Sequence, residues 1–211
     1  MPRKQNPLTK QNLLEAAFDV IRAKGYAATT VDEICAEAGV SKGAFFHHFA
    51  SKEDLAVAAA GRWSEVTGEL FESAPYHDAD DPLERLLGYV AFRKQLIQGA
   101  LPEFTCLVGT MTQEAYGTSP AIQKACWDSI SGHADTLVAD IEAAMDRYGV
   151  KCEFTAESLA LHTQAVIQGA FILAKASGEP QRAVESIDHL QRYLKLLFSP
   201  ATTEQPSEIE P

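Results

Sequence analysis

Residues 30–52, TVDEICAEAGVSKGAFFHHFASK, leave the chain little conformational choice. Thr30 followed three residues on by Glu33 is a capping box, which satisfies orphan amides at a helix start. Ile34 and Ala38 then fall one turn apart on one face. Gly39 ends that helix, because glycine enters the left-handed conformation at low cost. Val40 fills the corner. Ser41 can cap a second helix, in which Phe45 and Phe49 lie one turn apart and point back at the first. Ser51 with Asp54 is another capping pair, so a third helix starts at once. Lys42, Gly43, Ala44, Phe46, His47 and His48 are left on or near the outer side.

Two helices, a glycine turn and a small cationic outer face describe a helix-turn-helix. Gly43 and Ala44 allow close approach to a groove floor. Lys42 can reach base edges or phosphate, and Lys52 stands at a helix N-terminus, where backbone amides also attract phosphate.

Gly25-Tyr26, Ala28-Thr29-Thr30-Val31, Ile34, Ala38-Gly39-Val40-Ser41-Lys42-Gly43, His48-Phe49 and Ser51-Lys52-Glu53-Asp54-Leu55 closely resemble the N-terminal domain of TetR-family transcriptional regulators. The match covers roughly the first quarter of the chain, and several fixed spacings agree together. The resemblance implies a homodimer with a three-helix DNA head and a C-terminal effector-binding body. It implies DNA contact for Thr29, Thr30, Ser41, Lys42, Gly43, Ala44, Phe46, His47, His48 and Lys52. One position departs: the family pattern has tyrosine where this chain has Phe46, so a hydroxyl contact to the DNA backbone is lost while ring contact with a thymine methyl is kept.

The rest of the chain reads as helices. The periodicity predicts them over residues 9–24, 52–72, 83–98, 104–116, 121–148, 155–177 and 182–198, with turns at glycine and proline between. Together with the helix-turn-helix this makes an all-α fold of about nine helices, with no strand pattern and no internal repeat. The expected division is a DNA-binding head over residues 1–51, an effector-binding and dimerisation body over 52–198, and a disordered acidic tail over 199–211. Arg3 and Lys4 form a short N-terminal arm that could touch backbone or minor groove, or could be an ordinary loose terminus.

The formal charge of −11 looks wrong for a DNA binder. Splitting the chain resolves it: residues 1–62 carry eight Lys/Arg against seven Asp/Glu, and the remainder ten against twenty-two. The acidic body would repel DNA and favour approach head first. No apolar run nears the ~20 residues of a membrane span, and the start has no apolar signal core. Cys35, Cys106, Cys126 and Cys152 are far apart with no CxxC pair, which favours a reducing cytoplasm over disulfides or zinc.

No nucleotide-binding, nucleophile-elbow or HExxH motif is present. His47 and His48 are adjacent, so on a helix they point about 100° apart and cannot clamp one metal. Neither an enzyme nor a cofactor or metal is expected. Trp63, Phe71, Phe92, Phe104, Cys106, Met111, Trp127, His133 and Phe171 are candidate effector-pocket residues, although each alone is as well explained as plain core. Cys106 has no Lys or Arg within one helical turn to hold a thiolate. Val166, Gly169, Ala170, Leu173, Val184, Ile187, Leu190, Leu194 and Leu197 form the expected dimer surface, a four-helix contact about a two-fold axis; the alternative is that this stripe packs on its own body. The reading is a one-component repressor, released from a palindromic operator by a small apolar effector. The alternative is a protein of the same fold that binds DNA poorly and works through its acidic body.

Overall fold

Side-chain caps start most of the helices. In the computed structural model, which describes residues 7–150 and 153–199, Ser41 Oγ accepts from the Ala44 amide at 3.2 Å and Ser51 Oγ from the Asp54 amide at 3.0 Å. The Thr30–Glu33 capping box is present in both directions. The Lys24 ammonium, then the Thr30 hydroxyl and amide, hold the Glu33 carboxyl down at about 2. These caps delimit α2 (Val31–Glu37), α3 (Lys42–His48) and α4 (Lys52–Glu72), behind α1 (Pro7–Lys24). Gly39 turns the corner between α2 and α3 at φ +65°, a conformation that L side chains rarely adopt.

Beyond a short 3-10 turn at Pro75–Asp78 follow α5 (Pro82–Gln95), α6 (Leu101–Phe104), α7 (Leu107–Ala115), α8 (Pro120–Asp135), α9 (Val138–Tyr148), α10 (Ala156–Ser177) and α11 (Gln181–Leu197). No strand occurs among the described residues, and the fold is all-α. Two helices expected as single pieces are each divided. The 104–116 segment breaks at Thr105 and Cys106, both extended, so that Cys106 caps α7. Pro102 sits in the first turn of α6 and starts that helix. The 121–148 segment breaks at Thr136 and Leu137, where the Thr136 hydroxyl donates to the His133 carbonyl at 2.8 Å. Neither break carries a glycine or proline. Arg3, Lys4, Cys152 and all of the proposed tail except Ser199 lie outside the described residues.

The described residues form two apolar cores. One joins Phe18 and Ile21 of α1, Ile34 of α2, Phe45 of α3, Phe49, and Leu55 and Ala59 of α4 to Leu107, Met111 and Ala115 of α7 and Ile122 and Cys126 of α8. Helices α7 and α8, which the sequence assigns to the body, therefore complete the core of the head. The second core is built on α5, α9, α10 and α11 around Tyr89, Ile141, Ile167 and Leu190. Ion pairs Arg85–Asp140 and Lys94–Asp188, both 2.7 Å, fasten α5 to α9 and α11.

Candidate nucleic-acid interface and effector cavity

Helix α3 buries Phe45 and turns its other face outward. Phe49, its C-cap, is buried as well, while Ser41, Lys42, Gly43, Phe46 and His47 are exposed and Ala44 and His48 half-buried. Phe46 is 52% exposed, propped edge-on against Phe45 with ring centroids 5.1 Å apart. A large aromatic held out from a helix face has contact area to offer a partner. Lys42 is paired with Asp32 at 2.9 Å, but both side chains are exposed; such a pair contributes little and is readily exchanged for another anion. Burial lowers the His48 pKa, with the charges of His47 and Lys10 acting the same way.

Two expected DNA contacts have other duties. Thr29 is buried, and its hydroxyl donates to the Gly25 carbonyl at 2.6 Å, so it shapes the α1–α2 turn. The Lys52 ammonium donates to the Tyr26 and Thr29 carbonyls at 2.9 and 2.8 Å and stands 4.3 Å from the Tyr26 ring centroid. Burial lowers its pKa, and Glu114 opposes that shift. Lys52 thus ties α4 to the α1–α2 turn. Thr30, exposed at the start of α2, stays on the outer side.

The body holds a narrow cavity of about 40 Å³ free volume between α4, α5, α8 and α10 and the α6–α7 segment. Five of the nine expected pocket residues line it: Trp63, Phe104, Cys106, His133 and Phe171. Phe71 and Phe92 pack behind the wall, their rings 5.4 Å apart. Met111 and Trp127 do not belong to it. Met111 is fully buried in the head core, and Trp127 is 56% exposed on the outside of α8. The polar members Thr67, Arg93, Ser129, Gln164 and Gln168 also line it, and nothing in the sequence pattern singles them out as pocket residues.

Tyr89, fully buried at the edge of this cavity, organises them. Its oxygen accepts from Arg93 Nε at 3.0 Å and from Gln164 Nε2 at 2.7 Å. Both lone pairs are then used, so its own hydrogen goes to His133 Nε2 at 3.0 Å. That bond requires His133 to be neutral with its proton on Nδ1. Burial first, and the Arg93 charge second, press the His133 pKa down to about 3, in agreement with the donor count.

Cys106 stands where the two cores meet, half-buried, with its Sγ accepting from the Gly109 amide at 3.5 Å. No cation is near it in sequence, but the fold brings one. The Lys175 ammonium donates to Thr110 Oγ1 at 2.7 Å, and Thr110 Oγ1 donates to the Cys106 carbonyl at 2.9 Å. Burial lowers the Lys175 pKa, and negative charge at Cys106 and Glu114 would raise it.

The expected dimer surface is internal at four of its nine positions. Ala170, Ile187, Leu190 and Leu194 are buried in the body core, with Leu194 wholly inaccessible. Val166, Gly169, Val184 and Leu197 are half-buried, and Leu173 alone of the set is exposed. The exposed apolar face of these helices is another one: Leu161, Ile172 and Leu173 on α10, and Tyr193 and Leu196 on α11, with Leu196 75% exposed.

No group of three or more metal-binding side chains is assembled among the described residues, and no helix there is long and apolar enough to cross a membrane.

A family model described as bacterial regulatory proteins, tetR family, matches residues 13–59. The transcriptional regulator AcuR of Cereibacter sphaeroides is 31% identical over 107 residues, 51% of this chain and 49% of that one. The HTH-type transcriptional repressor DhaR of a Mycobacterium species is 30% identical over 121 residues, 54% and 56% of the two chains. The chain thus spans about half the length of these curated relatives. The reduced form of Escherichia coli NemR superposes with a TM-score of 0.78 over 92% of this chain and 98% of that one, at 20% identity. That likeness is one of fold.

Proposed function

Because the chain belongs to the TetR family of bacterial regulatory proteins, we propose that it is a ligand-responsive DNA-binding transcriptional regulator. Two copies present their α3 helices to successive major grooves of a palindromic operator. A small molecule entering the body cavity lowers operator affinity, which makes the protein a repressor. The observation that carries this reading is the outward face of α3. Lys42, Phe46 and His47 are exposed on a helix whose Phe45, with the Phe49 cap, is locked into the core. Curated relatives with similar heads are named as regulators, and DhaR as a repressor.

The test is a mobility-shift titration on DNA flanking the protein's own gene, at several salt concentrations, with Lys42→Ala and Lys52→Met. Lys42→Ala should weaken operator binding and reduce discrimination against random DNA by about 1–3 kcal/mol. Lys52→Met should instead lower folding stability by roughly 1–3 kcal/mol, because two carbonyls lose their donor. Wild-type protein that binds flanking and random DNA equally, with no salt dependence, would favour a partner other than DNA.

A second reading rests on Cys106. Cys106 is half-buried at the start of α7, and Lys175 is linked to its main chain through the Thr110 hydroxyl. Its place at the meeting of the two cores would let oxidation or alkylation alter both. Iodoacetamide labelling followed by peptide mass spectrometry should modify Cys106 well before the buried Cys35 and Cys126, and Lys175→Met should slow it. Equal labelling with and without Lys175 removes this reading.

A further inference from the structure

The charges around the cavity bear on what kind of molecule it takes. Helix α5 carries three cations whose partners can be compared. Arg85 pairs with Asp140 and Lys94 with Asp188. Arg93, between them, has no carboxylate partner among the described residues. Its Nε donates to Tyr89, and its guanidinium lies 4.3 Å from the Phe71 ring centroid. Nη1 and Nη2 make no hydrogen bond or ion pair within the described chain. The cavity lining includes Arg93 and neither aspartate nor glutamate. His133 cannot supply a second charge, since the hydrogen from Tyr89 occupies its Nε2 lone pair.

A half-buried guanidinium with an unused planar fork and no counter-ion is an incomplete interaction. Desolvation penalises the charge, and an anion with two coplanar oxygens would complete it. The same lining carries the apolar side chains of Trp63, Phe104 and Phe171.

On the footing that this cavity is the effector site, we propose that the effector is a monocarboxylate with a short apolar chain or a single ring. Its carboxylate takes the Nη fork of Arg93, and its apolar part lies against Trp63, Phe104 and Phe171. A single charge is specified because a single cation lines the cavity. A dicarboxylate or a phosphate dianion would bring in a second negative charge that nothing there matches. A small body is specified because about 40 Å³ of free volume admits only a few heavy atoms before the walls must part.

The experiment uses the full-length protein in a Trp127→Phe background, so that Trp63 is the only indole and reports from the cavity wall. Butanoate and benzoate are each titrated against their own amides, with succinate and inorganic phosphate as two-charge controls. Trp63 emission and thermal midpoint are both read. Either monocarboxylate should shift both signals, its amide should bind roughly tenfold more weakly or worse, and the controls should do neither. Arg93→Gln should erase the preference for carboxylate over amide, while Arg93→Lys, which keeps charge without the planar fork, should retain part of it. Amides binding as tightly as carboxylates, a preference that survives Arg93→Gln, or silence from both monocarboxylates at millimolar concentration would each overturn the proposal.

Operator DNA in the same titrations separates this proposal from the reading beneath it. Release of operator by the neutral amides alone overturns the carboxylate and leaves the regulator. Carboxylate binding through Arg93 that never alters operator affinity overturns ligand control and leaves the carboxylate.

Discussion

At the scale of single residues, burial first and the Arg93 charge second hold His133 neutral against the Tyr89 hydroxyl, which gives a pH dependence of known sign. Folded His133 is neutral down to about pH 3, whereas in the unfolded chain it titrates near its ordinary value of about 6.5. Between those values the unfolded state binds a proton that the folded state does not. Stability is therefore fully present above about pH 6.5 and is lost as pH falls toward 3. From pH 7 to pH 5 this one group should cost roughly 2 kcal/mol. Urea unfolding at both pH values tests it: His133→Gln should unfold with a shallower pH dependence than wild type, and identical slopes would mean that His133 is not held neutral. His133 is legible in the sequence as a candidate pocket residue, but Tyr89 and Arg93 are not. They sit on α5 among apolar neighbours, bonded to each other one turn apart, and only the approach of α8 and α10 gives Tyr89 its further partners His133 and Gln164. Lys175 escapes in the same way, because its nearness to Cys106 is created by tertiary packing. Lys52 shows the converse case. Its place at a helix start suggests phosphate, and the fold gives its ammonium two main-chain carbonyls, a duty that the sequence does not mark.

At the scale of elements, local signals are legible and shared surfaces much less so. Capping pairs and the Gly39 turn act over a few residues, so α2, α3 and the start of α4 can be placed from sequence. The breaks at Thr105–Cys106 and Thr136–Leu137 carry no such mark. The stripe Ile187, Leu190, Leu194 correctly signals an amphipathic helix, but a stripe does not say which neighbour covers it; here α11 turns it onto α5 and α10. What is left uncovered is Leu161 and Ile172 of α10, with Ala165 and Gly169 spaced along the same side, and Leu196 of α11. Two copies meeting on that face would form a four-helix contact. Leu196→Glu combined with Ile172→Glu should therefore yield folded monomers in sedimentation velocity. Leu194→Ala should leave association alone and cost about 2–5 kcal/mol of stability through a core cavity. A double glutamate variant that sediments as a stable dimer would move the interface elsewhere.

At the scale of the molecule, helices α4, α7 and α8 each join cavity to head. Helix α4, 21 residues and about 30 Å long, starts at Lys52 in the head and carries Trp63 to the cavity wall. Helix α7 is shorter and more direct. Its cap Cys106 and its Val108 line the cavity, while Leu107, Met111 and Ala115 lie in the head core. Its Glu114 accepts from the Ala27 amide at 2.6 Å in the α1–α2 turn. Gly25 is held against that same carboxylate at φ +88°, where a Cβ would collide with it. A ligand that parts the walls by displacing α4 or α7 should carry the head with it as one body. Two heads on one face of B-DNA need recognition helices about 34–36 Å apart. Spin labels at exposed Glu37 of each head should therefore report a separation that changes by a few ångströms with ligand, for a coupling of ~1–3 kcal/mol. An unchanged distance distribution alongside weakened DNA binding would point to loosening rather than displacement.

The core shared by α1–α4, α7 and the start of α8 also limits how such a chain can be recombined. A foreign DNA-reading module spliced in at residue 51 would arrive without the surface that Leu107, Met111 and Ile122 were shaped to fill. Ala27 would keep its amide bond to Glu114 only if the incoming turn had the same conformation. Chimeras meant to give this chain another DNA-reading head should therefore carry the donor's α7 residues along with it, or confine their changes to the outward positions of α3.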